Sequence, residues 1–316
     1  VPNNSEINFA GIEVAPTTMR GVVVSAAGDV ILRRDSSYEP ENLIGEIAKL
    51  VSGLQEAGTI KAVGLGIPGL VNRETDRVLI STGLPSAARD DIHSELMKAT
   101  GLRFELENDA NAGAYGEYKA GAGRGARDIF YIGIGEAIGG AILFDGKLWT
   151  GASGCAGEIG HVTINTEGDK CVCGNTGCLE TVASGPNIVR RARERLDRDG
   201  TSSLSRLLIE KSFTVVDVAR EANNGDDFSI MMLERTGKSL GTAVASVINL
   251  LSIERIILGG PIMEAGDHIL KPTIEEARQR SFQPCFEATK IVAAELGPDG
   301  VAIGAALLAR DFGAPE

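Results

Sequence analysis

Three cysteines fall within eight positions in the stretch "CVCGNTGCLE", residues 171–180, of a chain that has only five. Such crowding serves either a disulfide or a metal. Cys171 and Cys173 are too close along the chain to pair comfortably with each other. A thiol-reducing compartment, the default argued below, weakens the disulfide further. Three thiolates hold Zn²⁺ once a fourth ligand arrives, because structural zinc takes four. The chain has three histidines, His93, His161 and His268. His161 lies ten residues before Cys171, at the end of "GCAGEIGH". The expectation is a Cys₃His structural zinc site of His161, Cys171, Cys173 and Cys178, set against loosely placed free thiols. Gly174 and Gly177 would let the short loop wrap the ion. Cys155 and Cys285 are expected to be single buried thiols.

A second group of residues could move protons. "END", residues 107–109, closes a strand-like run and precedes a helix-like one. A carboxylate at such a junction faces a cleft in α/β folds, where it can act as a general base. The alternative is that Asp109 merely caps the helix. Glu158 stands three residues before His161, and Glu180 two after the last clustered cysteine. They either share one pocket with the imidazole or lie on solvated faces beside a remote zinc staple. "GLGIPGLVN" and "LGG" (258–260) put glycines after strand-like runs; alone, each is an ordinary strand-end turn.

The elements that must position these residues alternate. "INFAGIEV" reads as a strand, and "MRGVVVSAAGDVILRR" as two strands about a turn at "AAGD". Leu43, Ile47, Leu50, Val51 and Leu54 have helical spacing, with Gly58 as a stop. "IKAVGLGIPG" and "RFELEND" read as strands, and "ANAGAYGEYKAG" as a helix. The pattern restarts with "DIFYIGIG" and with "GGAILFDGKLWTG" as two strands about "FDGK". Residues 186–251 read as mostly helical, "RIILGG" and "KIVAAEL" as late strands, and "GVAIGAALLAR" as a closing helix with Gly304 as a packing position. A three-strand meander followed by alternating helices and strands thus occurs twice. This predicts two related α/β lobes with a cleft between them: residues 1–120, with 300–316 packing back on them, and 121–299 carrying the cysteine loop and a helical insertion.

With 316 residues, 43% of them hydrophobic, the chain has ample material for such cores. Its net charge of −12 repels phosphate backbones and anionic lipid, so neither a nucleic-acid nor a membrane partner is expected. "VASVINLLSIERIILGG" is interrupted by Glu254 and Arg255 and does not read as a membrane span. The opening "VPNNSEINFAGIEV" lacks the basic and apolar regions of a secretory signal. A cytoplasmic location is the expectation.

"ENDANAGAYGEYKAG", "GCAGEIGH", "CVCGNTGCLE", "INLLSIERIILGG" and "GPDGVAIGAALLAR" occur in order and at fitting distances, and together they resemble the ROK family of repressors, open reading frames and sugar kinases. The resemblance covers nearly the whole chain. It implies a two-lobed actin- and hexokinase-like (ribonuclease H-like) fold, a sugar site in the cleft, and ATP with Mg²⁺ as phosphoryl donor in kinase members. It implies that Asp109 is the base that takes a proton from a sugar hydroxyl. Gly69, Asn108, Glu158, His161 and Glu180 would surround the sugar, with zinc fixing the direction of the imidazole. Thr17, Thr18, Gly135, Glu136, Gly139, Gly140, Gly259 and Gly260 would line the nucleotide site. A homodimer or homotetramer follows by analogy only.

The chain also departs from the resemblance. ROK kinases open with D-x-G-G-T, where this chain reads "GIEVAPTT". Glu13 replaces Asp, and Ala15-Pro16 replaces Gly-Gly, which removes one backbone donor and restricts another position. The second phosphate loop, usually G-T-G-x-G-G-G, is "GEAIGGA", with Glu136 in place of Thr. A carboxylate about 4 Å from a phosphate oxygen costs roughly 4 kcal/mol at an effective dielectric of about 20, on the order of a thousandfold in affinity. In "STGLPSAARD", Gly83 stands where Asn is common. The leading expectation is a sugar kinase acting on a hexose or N-acylhexosamine, glucose by default. The alternative is a sugar sensor, the effector domain of a transcriptional regulator without phosphoryl transfer. A first strand starting by about Ile7 leaves no room before it for a helix-turn-helix, which favours the kinase.

Overall fold

The computed structural model describes residues 7–73, 75, 77–81, 84, 91–196, 202–210 and 212–313. Gly83 lies outside the described residues. The chain forms two units. One is Val1–Gly125 with Gly146–Ala156 and Pro298–Glu316; the other is Ala126–Asp145 with Gly157–Gly297. Residues 146–156 thus belong with the first unit rather than with the residues on either side of them. Gly146 sits against Tyr118, so closely that a Cβ there would lie 2.5 Å from the phenol oxygen.

The first unit begins with an antiparallel meander, β1 (Ile7–Val14), β2 (Thr18–Ser25) and β3 (Val30–Ser37). Helix α1 (Leu43–Leu54) leads to β4 (Thr59–Ile67), and a small hairpin follows, β5 (Leu70–Asn72) and β6 (Arg77–Ile80). Helix α2 (Ile92–Thr100) leads to β7 (Arg103–Asn108), which runs directly into α3 (Asp109–Ala120). The sheet order is β3-β2-β1-β4-β7, with β4 parallel to both β1 and β7. One face carries Ile12, Leu65, Ile67, Phe104 and Leu106, buried under α1 and α2 through Ile47, Leu50, Ile92 and Leu96. Strand alternation turns Gly11, Gly64 and Gly66 to the other face.

That face is covered by α3 and by α11 (Gly300–Phe312). The approach is backbone to backbone. A Cβ on Gly11 would lie 2.0 Å from the Ala302 carbonyl oxygen, and one on Gly64 would lie 1.8 Å from that of Ala305. A Cβ on Gly304 would lie 1.7 Å from the Ala112 carbonyl oxygen on α3. Gly304 is therefore a packing position. Nearly all of α11 is buried although alanine and glycine dominate it, because small residues gain dispersion contacts by letting main chains approach. The short strand β10 (Lys147–Leu148) also belongs to this unit's residues.

In the second unit β8 (Ile129–Ile134) pairs antiparallel with β9 (Ile138–Phe144) and parallel with β11 (Arg255–Gly259), which pairs parallel with β12 (Lys290–Ala293). The order β9-β8-β11-β12 repeats the pattern of β2-β1-β4-β7. The helices are α4 (Glu180–Ala183), α5 (Gly185–Leu196), α6 (Leu204–Glu210), α7 (Val215–Asn223), α8 (Asp227–Leu251), α9 (Asp267–Arg280) and α10 (Gln283–Ala288). Helix α9 is not evident from the sequence pattern, since Pro272 lies inside it and its buried residues are few. It packs on α8 through Gly237 and Gly241, where a Cβ would meet the carbonyl oxygens of Ile269 and Thr273 at 2.8 and 2.6 Å.

Two expectations need correction. Cys155 is exposed and Cys285 half-buried. Cys155 lies between two turns, with its thiol 3.5 Å from the Ser153 carbonyl oxygen, and Cys285 sits on the short α10, which has no buried residue. Among the described residues, no helix is long and apolar enough to cross a membrane.

Gly64→Ala is expected to lower the melting temperature by roughly 5–10 °C, because the sheet or α11 must move to admit the methyl. Gly135→Ala, where nothing lies within 4 Å of the added Cβ, is expected to shift it by less than about 2 °C. Thermal denaturation of both variants checks the contrast.

Candidate functional site

Asp109 is the first residue of α3, and the cap is Asn108. The Asn108 Oδ1 accepts from the Asn111 backbone N–H at 3.0 Å. Its Nδ2 donates to the Gly69 carbonyl at 2.9 Å. The capping alternative for Asp109 therefore falls to its neighbour. Asp109 is left at the helix start, where the macrodipole favours an anion, with Oδ1 accepting from the Ala110 N–H at 2.8 Å. Gly69 has φ +123°, and a Cβ there would lie 2.1 Å from the Ile80 carbonyl oxygen. Only glycine lets this turn meet both β6 and Asn108. Gly69, Asn108 and Asp109 are thus brought together. Asn108 keeps one amide N–H and one lone pair beyond these bonds.

Glu13 registers opposite Gly66, which registers opposite Glu107. It is pushed up to about 7. Burial is the main cause, and the negative charge of Asp109 is the next. Glu13, Thr18, Arg20, Asp35, Ser36 and Ser37 line a cleft of about 410 Å³. Arg20 is already committed. It holds Asp35 by two bonds of 3.0 and 3.2 Å, donates to the Pro298 carbonyl at 2.7 Å and lies 3.5 Å from Asp299. Thr17 and Thr18 are exposed at the β1–β2 turn. The Ala15 N–H donates to the Thr18 carbonyl at 2.9 Å, and Pro16 has none, so neither residue offers a backbone donor to an anion. Sequence reasoning noted Glu13 as a departure but not its burial. The signal was its position in the alternating strand "INFAGIEV", on the face of Gly11.

In the second unit the cysteine loop folds onto His161. The Cys171 Sγ lies 3.6 Å from His161 Nδ1, and the Cys173 Sγ 3.7 Å from the Cys178 Sγ. All four ligand atoms fall within 4.8 Å of one another. Tetrahedral zinc with Zn–S of about 2.3 Å and Zn–N of about 2.0 Å requires S···S edges of about 3.8 Å and S···N edges of about 3.5 Å. The donors and their spacing fit that ion. The turn is built by Cys171 N–H to Asn175 O at 2.8 Å and Gly174 N–H to Cys171 O at 3.0 Å. Gly174 and Gly177 have φ +90° and +74°. Burial, then the neighbouring thiols, pushes the Cys178 thiol up to about 12, whereas the Asn175 backbone N–H pulls the Cys173 thiol down.

The other ring nitrogen of His161, Nε2, lies 4.0 Å from the Glu158 Oε2. Glu158, though exposed at 44%, is held above the ordinary carboxylate range, first by the partial loss of water around it and further by the negative charge of Glu180. Glu180 begins α4, and its Oε2 accepts from the Ile138 N–H at 3.0 Å. The "GEIGH" turn docks on β9 main chain to main chain. A Cβ on Gly140 would lie 2.3 Å from the Gly157 carbonyl oxygen, and one on Gly160 2.2 Å from that of Ile138. Gly139 and Gly140 therefore lie inside β9, opposite Gly133 and Ile132, not in a loop. Gly135 and Glu136 form the β8–β9 turn. Gly135 donates to the Ala137 carbonyl at 2.9 Å and accepts from the Gly185 N–H at 2.8 Å, and Glu136 is exposed. Gly259 and Gly260 have packing reasons too. A Cβ on Gly259 would meet the Tyr131 hydroxyl at 2.5 Å, and one on Gly260 the Ile134 carbonyl oxygen at 2.1 Å.

The family model described as the ROK family matches residues 9–312. A glucokinase of Thermotoga maritima is 34% identical over 315 residues, covering 97% of this chain and 98% of that protein. Among solved structures, a ROK family glucokinase from Streptomyces griseus in complex with glucose and AMPPNP superposes with a TM-score of 0.85 at 28% identity, over 96% of this chain and 99% of that one. A ROK family transcriptional regulator, a homologue of the Escherichia coli Mlc protein, also superposes with a TM-score of 0.85, at 26% identity, over 97% of this chain and 78% of that one. The fold is that of the ROK hexokinase-like proteins.

Two outcomes follow from this geometry. Glu13 holds its proton in the folded chain up to about pH 7, whereas an unfolded carboxyl releases it near the ordinary value. Its contribution is therefore fully present in acid and lost as pH rises from the ordinary carboxylate range through about 7. Glu13→Gln should raise the melting temperature at pH 8 and change it much less at pH 4; equal shifts at both would contradict the assignment. Cys173→Ser should lower bound zinc from about one equivalent to a small fraction, read by metal analysis after dialysis.

Proposed function

The chain belongs to the ROK family, and from that premise we propose that it is an ATP-dependent, hexokinase-type sugar kinase. Its acceptor is a hydroxyl of a hexose or N-acylhexosamine, with glucose first among them. The observation that carries this reading is the "END" junction, in which Asn108 both caps α3 and holds the Gly69 carbonyl. Asp109 is thereby left as a helix-start carboxylate able to take a hydroxyl proton. Phosphoryl transfer asks little covalent chemistry of a protein; it needs in-line positioning and some base assistance.

In this reading Asp109 accepts the proton of the attacking hydroxyl as its oxygen bonds the γ-phosphorus of ATP and the bond from that phosphorus to the β–γ bridging oxygen breaks, releasing ADP. Asn108 uses its remaining amide N–H, and Gly69 its backbone, on the sugar. Glu158 and Glu180 accept from sugar hydroxyls, since a carboxylate takes charge-assisted bonds from two neighbouring hydroxyls. His161, Cys171, Cys173 and Cys178 hold a structural zinc ion. Zinc on Nδ1 leaves Nε2 of His161 as a donor beside Glu158. ATP with Mg²⁺ supplies the phosphoryl group. Thr17, Thr18 and the Gly135–Glu136 turn with Gly139 and Gly140, together with Gly259 and Gly260, are the proposed nucleotide side.

A second reading, a sugar sensor without phosphoryl transfer, is favoured by one specific observation. The Ala15–Pro16 turn presents no backbone donor where the resemblance implies two. The Mlc-homologous regulator matches this chain's fold as well as the glucokinase does.

With glucose and ATP–Mg²⁺, a coupled ADP assay is expected to show turnover. Asp109→Asn is expected to lower kcat by about a thousandfold, with glucose affinity much less affected. Glucose binding by calorimetry without ADP formation from any hexose or N-acylhexosamine would exclude the kinase and favour the sensor. In that case Glu136→Thr should restore heat of ATP–Mg²⁺ binding to the sugar-saturated protein.

A further inference from the structure

Phe104 and Leu106 of β7 face the core under α1 and α2. Glu107 takes the opposite face and is only 3% exposed. A carboxylate so deep must be bonded or it costs stability. Its Oε1 accepts two bonds, from the Asn108 backbone N–H at 2.9 Å and from the Asn111 Nδ2 at 2.9 Å. Asn108 in turn accepts from the Asn111 N–H and donates to the Gly69 carbonyl. One oxygen therefore ties together the residues that bracket Asp109 and, through Asn108, the Gly69 turn.

The second oxygen is treated differently. Oε2 is buried and has no hydrogen-bond partner. Its counter-ion is Arg73, whose Nε lies 3.5 Å away. The Arg73 guanidinium is itself placed 5.2 Å over the Phe312 ring of α11. Arg73 directly follows β5, so the far end of the Gly69 hairpin is drawn to the same carboxylate. Burial holds Glu107 above the ordinary carboxylate range. A leucine there would avoid that cost but could not order Asn108 and Asn111.

We propose that Glu107 is a positioning residue for phosphoryl transfer: its buried carboxylate sets the direction of Asp109 and the height of the Gly69 turn together, with Arg73 as its counter-ion. The chemistry rests on the kinase reading; the placement of Asn108, Asn111 and Gly69 does not.

Glu107→Leu, Glu107→Gln and Asn111→Ala are compared with the parent by three readouts: kcat and KM with ATP–Mg²⁺, glucose affinity by calorimetry without ATP, and amide hydrogen exchange at Asn108, Ala110 and Asn111. Glu107→Leu should lower kcat on the order of a hundredfold, more than it raises KM, because a displaced base loses near-attack geometry. Glu107→Gln keeps a carbonyl oxygen for both donors and should recover kcat to within about fivefold. Asn111→Ala should fall between them. A folded Glu107→Leu with parental kcat and glucose affinity overturns the proposal, as does equal loss in Gln and Leu. Should Glu107→Leu fail to fold, a parental Asn111→Ala overturns it equally. A parent that binds glucose without turnover removes the kinase reading alone, and glucose affinity then decides for Glu107. If the parent binds no glucose, exchange decides: faster exchange at Asn108 and Asn111 in Glu107→Leu or Asn111→Ala supports the assignment, and parental protection overturns it.

Discussion

The main chain of α11 rests on the main chains of β1, β4 and α3, and the seating of α3, whose first residue is Asp109, follows from that contact. Gly11, Gly64 and Gly304 leave no room for a side chain at the seam. Close-packed interiors transmit even a methylene, so the depth of α11 sets the depth of α3. The start of α3 is where Asp109 sits. The placement of Asp109 is thus a property of glycines distant from it in sequence. The same seam turns Glu13 and Glu107 inward on one sheet face, each in register with Gly66. Both carboxyls are held above their ordinary range by the desolvation that the packing imposes.

The second unit solves a different problem, that of holding an imidazole and two carboxylates on a stretch with little regular structure. From Gly157 to Leu179 the chain forms one 3₁₀ turn, at Ile159–His161, and isolated bridges, Thr163 with Cys178 and Lys170 with Thr176. Two things hold it. Glycines at 140, 157 and 160 press it onto β9, and the four donor atoms gather about one point. A structural ion is well suited to this task, because it orders a loop whose apolar content is too small to order itself.

Much of this was legible in the residues. The strand read in "INFAGIEV" became β1, and the helical spacing from Leu43 to Leu54 became α1 with Leu43, Ile47, Leu50, Val51 and Leu54 buried. The meander-then-alternation pattern became two sheets of like order. The cysteine spacing, with His161 ten residues before it, became a tetrad because thiols and imidazole at short spacing have few other reasons to converge. Other features were hidden for physical reasons. A Glu before Asn-Asp reads as solvated, and only the sheet register reveals that Glu107 is covered. Gly140, Gly259 and Gly260 read as loop glycines, whereas they relieve contacts with partners far along the chain, such as Gly157 and Tyr131. Helix α9 escaped notice because its anchoring contacts lie on α8 rather than in its own periodicity.

The burial of α11 bears on how the protein is made. Strands β1 to β7 and helix α3 leave a ribosome long before residues 300–312 are translated, so the part of the first sheet's face that α11 covers is closed late. The second unit's sheet, by contrast, has all its strands as soon as β12 emerges. The seam of the earlier unit therefore closes only after every strand of the later one has been made.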